Sequence, residues 1–435
     1  MRKTSLALSQ KGVNMNKVRI LLGLVFLLVI IDICSAEHTG DVRHSDTLTG
    51  GFWGLNDQLA DDGIEIGFGI TNIYQANVKG GLSTHNKRGR YSGSYDLELT
   101  GNTQKLLGIE GGRLYVHGEG WWSKSGGIDG ASVGSVFGVN GDTGSRNTLV
   151  ITELWWEQAM LDNTLRLRLG KLDLTGGFEC RGCPVTFDSS AFANDEASQF
   201  LNAALVNNSS IPFPDYGLGA ILYWNPIEWW YASVGIADAQ ADVREAGFRT
   251  TFGDEDYFFY IFETGVAPRL DSAKGPLHGI YRIGLWNDPQ PKSNSDSTKN
   301  YRDDIGVYTS CDQMLCKENS DHEDRQGLGA FLRYGYAPSK RNDITNFWSF
   351  GFQYQGLIDG RDDDVLGVGF AQGVFSDSAD TTYTDDYENA IELYYNAQVA
   401  GWLNISPSVQ YIANPGGNKA VSDAVILGVR VQMTF

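Results

Sequence analysis

The sequence is poor in positive charge. Lysine and arginine number 34 against 53 aspartates and glutamates, a formal net charge of −19. A chain with that balance repels a polyphosphate backbone, which excludes nucleic acid as a partner. Histidine is scarce at 6, and none of the six (38, 44, 85, 117, 278, 322) lies near a cysteine pair, so no metal-ligand spacing stands out. Proline is modest at 11. Long apolar runs are missing too, with one exception. Ile20 to Ile31 is unbroken, preceded by Lys17 and Arg19 and followed by the small residues Ser35 and Ala36. The run is shorter than the roughly 20 residues a spanning helix needs. Residues 1–36 therefore read as a secretory signal peptide, with Met15 as an alternative start. Ile33 before Cys34 disfavours a lipoprotein.

Without that segment, which holds five basic residues and one acid, the chain keeps 29 basic and 52 acidic residues, a net charge of −23. What it has in quantity is glycine, 53 residues, and aromatics, 12%. That composition suits many short strands better than long helices. The remaining cysteines form two close pairs, Cys180/Cys183 and Cys311/Cys316. Each resembles half a zinc site. Export makes a disulfide possible, and a disulfide or free thiols are preferred over metal. No phosphate loop, zinc motif or calcium loop occurs, and no cofactor is expected. Gly130-Ala131-Ser132-Val133-Gly134 fits the G-x-S-x-G pattern but lacks a strand-turn-helix context, so it reads as chance.

Period-2 alternation recurs in segments of about ten residues, the size of a tilted membrane strand. Sixteen are found: 64–78, 91–101, 111–122, 148–160, 163–174, 216–224, 229–238, 257–266, 277–287, 304–315, 327–336, 346–357, 364–375, 388–399, 402–412 and 423–435. Gly54–Asp61 reads as a short helix. A soluble sandwich would bury the apolar stripe. A membrane barrel turns it to lipid and keeps the polar stripe inside. Export favours the barrel, and so do aromatics at stripe ends (Trp121/Trp122, Trp155/Trp156, Trp229/Trp230, Trp348, Trp402, Tyr411), placed as in a membrane–water girdle. The expected fold is an all-β, antiparallel transmembrane barrel, residues 63–435, behind an N-terminal periplasmic segment, 37–62. Counting back from Phe435 gives short turns on one side and long loops on the other, the asymmetry expected of such barrels.

Several stretches carry a family resemblance: "FWGLNDQLADDGIEIGFGIT" (52–71), "LRLRLGKLDL" (165–174), "GLGAFLRYGYA" (327–337), "YQGLIDGRDDDVLGVGFA" (354–371) and "YENAIELYYNAQVAGWLNISPSVQYIANPGG" (387–417). Together they resemble the carbohydrate-selective porin family of the OprB type, from Gly51 to Phe435. The resemblance implies a sixteen-stranded barrel in the outer membrane of a Gram-negative cell, passing monosaccharides such as glucose passively. It implies that the apolar last strand, Val425 to Phe435, is the signal read by the barrel assembly machinery. It also implies that the longest loop, about 175–215, folds into the lumen as a constriction. There "FANDEASQFLNAAL" could form a short helix, and Cys180–Cys183 would tie the loop's entry. The partners implied are sugars, outer-membrane lipid and lipopolysaccharide, and the barrel could be a monomer or a trimer.

The most informative strand is Thr164–Leu174. Leu165, Leu167 and Leu169 share one face, but Leu172 and Leu174 fall out of phase. One extra residue at Gly170 would repair the phase, as a β-bulge does. Arg166, Arg168, Lys171 and Asp173 would then all line the pore, a cationic ladder ending in an acid. Other residues with the lumen phase are Asp96, Glu98, Arg113, His117, Glu119, Glu153, Glu157, Arg282, Arg333, Gln353, Glu392, Gln410 and Arg430. Most of these could simply solvate the interior or pair with one another. Paired donors and acceptors could also address sugar hydroxyls, and aromatic faces could stack on a pyranose. The competing functions are a general or anion-preferring porin and, further off, a lipase-like outer-membrane enzyme. His117, with its inward phase, argues against an outer-wall Ser/His site.

Overall fold

The computed structural model describes residues 46–435 except 87, 123–125, 145–148, 176–186, 195–197, 254–255, 294–299, 321–324 and 379–382. One sheet carries sixteen long strands and a two-residue piece, Arg269–Leu270. The first eight long strands are β1 (Ile64–Gly81), β2 (Gly89–Asn102), β3 (Gly112–Trp121), β4 (Leu149–Met160), β5 (Leu165–Leu172), β6 (Gly217–Ile227), β7 (Trp230–Asp238) and β8 (Phe258–Val266). The rest are β9 (Leu277–Asp288), β10 (Asp304–Lys317), β11 (Gly327–Tyr336), β12 (Ile344–Gln355), β13 (Val365–Phe375), β14 (Tyr387–Ala400), β15 (Leu403–Ala413) and β16 (Ser422–Thr434). Each pairs antiparallel with its sequence neighbours, and β16 closes on β1, from Gly69 opposite Thr434 to Gly81 opposite Ser422. Closure leaves no unpaired edge, which hydrocarbon demands of a sheet. Phe435 extends the seam: its N–H donates to the Phe68 carbonyl at 2.9 Å, and the two rings lie 5.3 Å apart.

Alternation now has a direction. Leu97, Leu99, Leu154, Leu169, Leu222, Val234, Ile283, Leu332, Leu393 and Leu427 are exposed on the outer wall, while their strand neighbours point inward. Exposed aromatics mark the belt's ends, with Trp224 and Trp229 at the rim of short turns and Tyr260, Tyr336, Tyr387 and Tyr411 at the rim of long loops. Three girdle candidates are corrected: Trp155 and Trp402 are 1% and 5% exposed, and Trp121 lines the interior cleft with Glu119. Trp155 lies opposite Gly170 on the inward phase, two residues from inward Glu157.

The bulge expected at Gly170 is not there. The β4–β5 ladder runs in step from Lys171 opposite Leu154 to Leu165 opposite Met160. The irregularity lies on β4, where Glu153 and Ile151 face His117 and Gly118 and Thr152 is the extra residue. Directly opposed residues share a face, so Lys171 goes with exposed Leu154, outward, and not to the lumen. Its amine is taken up by the carbonyls of Val243 and Glu245, at 2.6 and 2.8 Å, beneath the β7–β8 loop. Leu172 and Leu174 are buried inside instead. Gly170 is needed for close approach: at φ 143°, an added Cβ would lie 2.2 Å from the Leu154 carbonyl and 2.7 Å from the Trp155 Cα. Gly170→Val is therefore expected to lose about 1–3 kcal/mol through backbone strain, read as a lower midpoint for the loss of heat-modifiable barrel mobility.

The helix read at 54–61 is the regular part of α1 (Gly50–Asp62), whose first turn, Gly51–Gly54, is left-handed. Gly63 ends it at φ 90°, its N–H reaching the Ala60 and Leu59 carbonyls. Asn56 clamps α1 to β1 through both the N–H and the C=O of Ile66, at 2.9 and 3.0 Å. Cys180 and Cys183 lie outside the described residues. Cys311 and Cys316 are free. They sit five residues apart on β10, roughly 16 Å at strand rise, too far for a disulfide. The shift between Met314 and Cys316 puts both on one face, opposite Leu332 and Leu328.

Candidate functional site: a narrowed barrel interior

Two long loops turn inward. The β5–β6 loop, expected as the constriction, crosses the interior in its described residues 187–194 and 198–213 and is anchored by wall side chains of seven strands. Glu263 on β8 accepts the Asp188 N–H at 2.9 Å. Asp312 on β10 accepts from the Ser190 hydroxyl at 2.6 Å and the Ala191 N–H at 3.3 Å. Arg333 on β11 donates to the Leu205 carbonyl at 2.7 Å, and Gln353 on β12 accepts from Gln199 at 2.7 Å. Glu392 on β14 takes the N–H groups of Leu201 and Asn202, at 3.0 and 2.7 Å, while Gln410 on β15 accepts from the Asn202 amide at 3.0 Å. Arg430 on β16 donates to the Gln199 carbonyl. The helix read in this loop is a single turn, Ala203–Val206, with Asn202 as its cap.

The β3–β4 loop, on the long-loop side, also folds in. Gln75 and Gln410 both donate to the Val139 carbonyl, at 2.7 and 2.9 Å. Glu388 accepts the Val136 and Gly416 N–H groups. Within the loop, burial pushes Asp129 up to about 6, and the N–H groups of Ser135, Val139 and Gly134 pull it back. Ser132, the serine of the G-x-S-x-G match, is fully buried and donates to the Ser83 carbonyl at 2.7 Å; it holds the loop and has no nucleophile's setting. An apolar cluster seats both loops: Val133, Val139, Phe200 and Leu205 pack on Phe331, Phe347, Tyr394, Ile412 and Ile426 of the wall.

On the other side of the lumen, β3 to β6 carry an arginine–aromatic ladder near the turn rim. Period 2 puts Arg113, Tyr115, His117 and Glu119 on one inward face of β3, and Glu153, Trp155 and Glu157 on that of β4. The Arg168 guanidinium lies 3.9 Å above the Trp155 ring and bonds Glu157 through Nη2 at 2.8 Å and Nε at 3.2 Å. Arg166 lies over Tyr223 at 4.5 Å, and Arg113 over Trp155 at 5.4 Å. Tyr115 stacks on Trp155 at 4.8 Å and donates to Glu98 at 3.0 Å. His117 meets Asp96 at 3.3 Å and Thr152 at 2.8 Å.

The ladder is not a bare cationic strip. Arg168 is paired with Glu157, Arg282 with Asp312 at 3.0 Å and Arg333 with Asp188 at 3.5 Å. Alternation placed the arginines and Glu157, but not Asp312 or Asp188. Asp188 falls in a loop, and Asp312 and Glu263, which accepts from Tyr231 at 2.6 Å and Tyr308 at 2.8 Å, are not among the inward residues read from alternation. Toward the loop rim, the β5–β6 loop leaves a polar cleft of about 180 Å³, lined in part by Glu119, Asp173, Thr175, Asp188, Tyr216 and Arg333. Asp173, read as the end of the ladder, lies just past β5 and accepts from the Thr175 hydroxyl at 2.8 Å.

A closed sixteen-stranded barrel with an apolar outer belt and a loop-narrowed polar interior is the architecture of outer-membrane porins. The family model for the carbohydrate-selective porin, OprB family, matches residues 86–435, and the chain belongs to that family. It is 23% identical to Porin B of Pseudomonas aeruginosa, over 95% of this chain and 97% of that protein. It is 20% identical to the putative porin QuiX of Acinetobacter baylyi, over 66% and 69%. The high-pH structure of Pseudomonas putida OprB superposes with a TM-score of 0.76 at 20% identity, covering 91% of this chain and all of that one. The low-pH structure of the same protein gives 0.57 at 18% identity, over 90% and 99%. The outer membrane of a Gram-negative cell is accordingly where this barrel resides.

Proposed function

We propose that the chain is a passive channel for neutral carbohydrates, monosaccharides such as glucose among them. The observation that carries this reading is the constriction loop, held across the lumen by acids, arginines and amides of seven strands and facing a ladder of aromatic rings and paired charges. A pyranose has an apolar face that stacks on rings and a hydroxyl rim that both donates and accepts. Paired arginine and carboxylate groups can serve both roles without demanding a charged solute. On this reading outer-membrane lipid and lipopolysaccharide cover the belt, the assembly machinery reads the strand ending in Phe435, and the barrel works as a monomer or trimer without catalysis. Proteoliposomes containing the purified chain are expected to swell in isotonic glucose faster than in a disaccharide or amino acid of similar size. Equal rates for all solutes would leave a general diffusion pore, and faster entry of anions an anion-preferring one.

A further inference from the structure

The loop-rim cleft has a chemistry of its own. Four carboxylates, Glu119, Asp142, Asp173 and Asp188, line it, and among its described lining residues the one basic side chain is Arg333. An acidic lining alone would mean little, but Asp188 adds a second observation. It is 5% exposed, and no hydrogen bond of good geometry reaches either carboxylate oxygen, the Ser310 hydroxyl being its nearest neutral donor. Arg333 Nε stands 3.5 Å from it, with the Arg282 guanidinium as a second nearby cation, and that Nε is likewise without a hydrogen bond, while Arg333 Nη1 bonds the Leu205 carbonyl. A carboxylate and a guanidinium thus stand side by side in the cleft with unused accepting and donating capacity. Buried groups of this kind are costly unless something bonds them.

We propose that the Asp188–Arg333 pair is a subsite for the vicinal hydroxyls of a neutral sugar, and that the carboxylates around it turn away sugar acids and sugar phosphates. One hydroxyl donates to Asp188, and its neighbour accepts from Arg333 Nε. A ligand carboxylate or phosphate could satisfy Arg333, but it would bring like charge against Asp188 and into a cleft shared with Glu119, Asp142 and Asp173. The subsite lies at the loop rim, above the arginine–aromatic ladder near the turn rim, so a solute entering there meets the acids first. The cleft then sets which sugars reach the ladder. Surface charge of one sign acts the same way on charged solutes generally, excluding like-signed ions from a narrow mouth.

The inference rests on the carbohydrate reading, and the experiment separates the two. The full chain is reconstituted in liposomes, and glucose entry is compared with gluconate entry at equal concentration and ionic strength. Glucose is expected to enter about ten-fold faster, and Asp188→Asn to lower that ratio about three-fold or more by speeding gluconate, with the effect shrinking as salt screens the charge. Heat-modifiable mobility confirms that the variant is a folded barrel. Asp173→Asn, in the same cleft lining and on no wall strand that anchors residues 187–213, is expected to shift the ratio the same way and serves if Asp188→Asn does not fold. Normal glucose entry with the same glucose-to-gluconate ratio in wild type and a folded variant overturns the subsite. Absence of glucose entry in the wild type overturns the carbohydrate reading, and the subsite with it.

Discussion

Replacing Glu392 by alanine is expected to raise the single-channel conductance about two-fold or more, because a sixteen-stranded barrel is wide enough for an open aqueous channel once its plug loosens. Glu392 is fully buried, and its carboxylate is the shared acceptor of two consecutive loop N–H groups, Leu201 and Asn202, which are 1% and 0% exposed. Without it both donors are stranded, at a cost of about 1–3 kcal/mol each. Among the described residues the other anchors of this stretch do not take those N–H groups: Arg430 and Arg333 bond carbonyls, Gln353 and Gln410 bond side-chain amides, and Phe200 sits edge-on to Phe331 and Tyr394. The segment around 199–206 then opens locally while the barrel stays closed, since the β14 ladder on both sides of Glu392 is made by backbone. Glu392→Gln keeps a carbonyl oxygen where both N–H groups converge, so it is expected to have a much smaller effect. Planar-bilayer traces read this directly. Wild-type conductance and noise in a folded Glu392→Ala barrel would show that Glu392 does not hold the constriction.

The barrel was legible in the sequence because alternation is a strong signal when one face meets lipid along a whole strand. Sixteen segments were read and sixteen long strands formed, with the turn and loop sides assigned as built. Two things hid from that reading. The first is the inward-folded β3–β4 loop. Its dock is apolar: Phe331, Tyr394, Ile412 and Ile426 cluster with Val133 and Val139, and alternation does not mark an apolar inward residue as a seat. The second is strand phase near irregularities. A three-residue step between leucines on β5 looked like a bulge at Gly170, whereas the ladder is in step there and the extra residue is Thr152 on β4. Leu172 and Leu174 are inward residues packed beside Trp155, Phe187 and Ile211, and Lys171 is outward, its amine capped by loop carbonyls. An apolar side chain facing a loop-filled interior and one facing lipid are the same letter, and only the packing partners tell them apart.

The same packing sharpens what removing Arg166 and Arg168 should do. Both guanidinium groups lie over rings, Arg168 on Trp155 and Arg166 on Tyr223, and Arg168 also closes a two-point bond to Glu157. The double alanine variant takes away donors and bares two ring faces, but it leaves Glu157, 7% exposed, without its arginine. Breaking a buried pair from one side is the costly way to break it, so the informative comparison adds Glu157→Gln. A hydrogen bond from a charged group to a neutral hydroxyl is worth about 1.5–3 kcal/mol, so loss of one such contact corresponds to roughly ten-fold weaker block of the current by glucose. If the arginines address hydroxyls, block stays weakened in Arg166→Ala/Arg168→Ala and is not restored by adding Glu157→Gln, while ion conductance rises in both. If they only neutralise Glu157, the triple variant returns to wild-type block. Leu167→Ile supplies the control: Leu167 lies opposite Leu222, 41% exposed on the outer wall, and a change there is expected to leave conductance and block untouched. Wild-type block in the folded double variant would reject the arginines as a selectivity element and leave the rings of Trp155 and Tyr223 as the ladder's contribution.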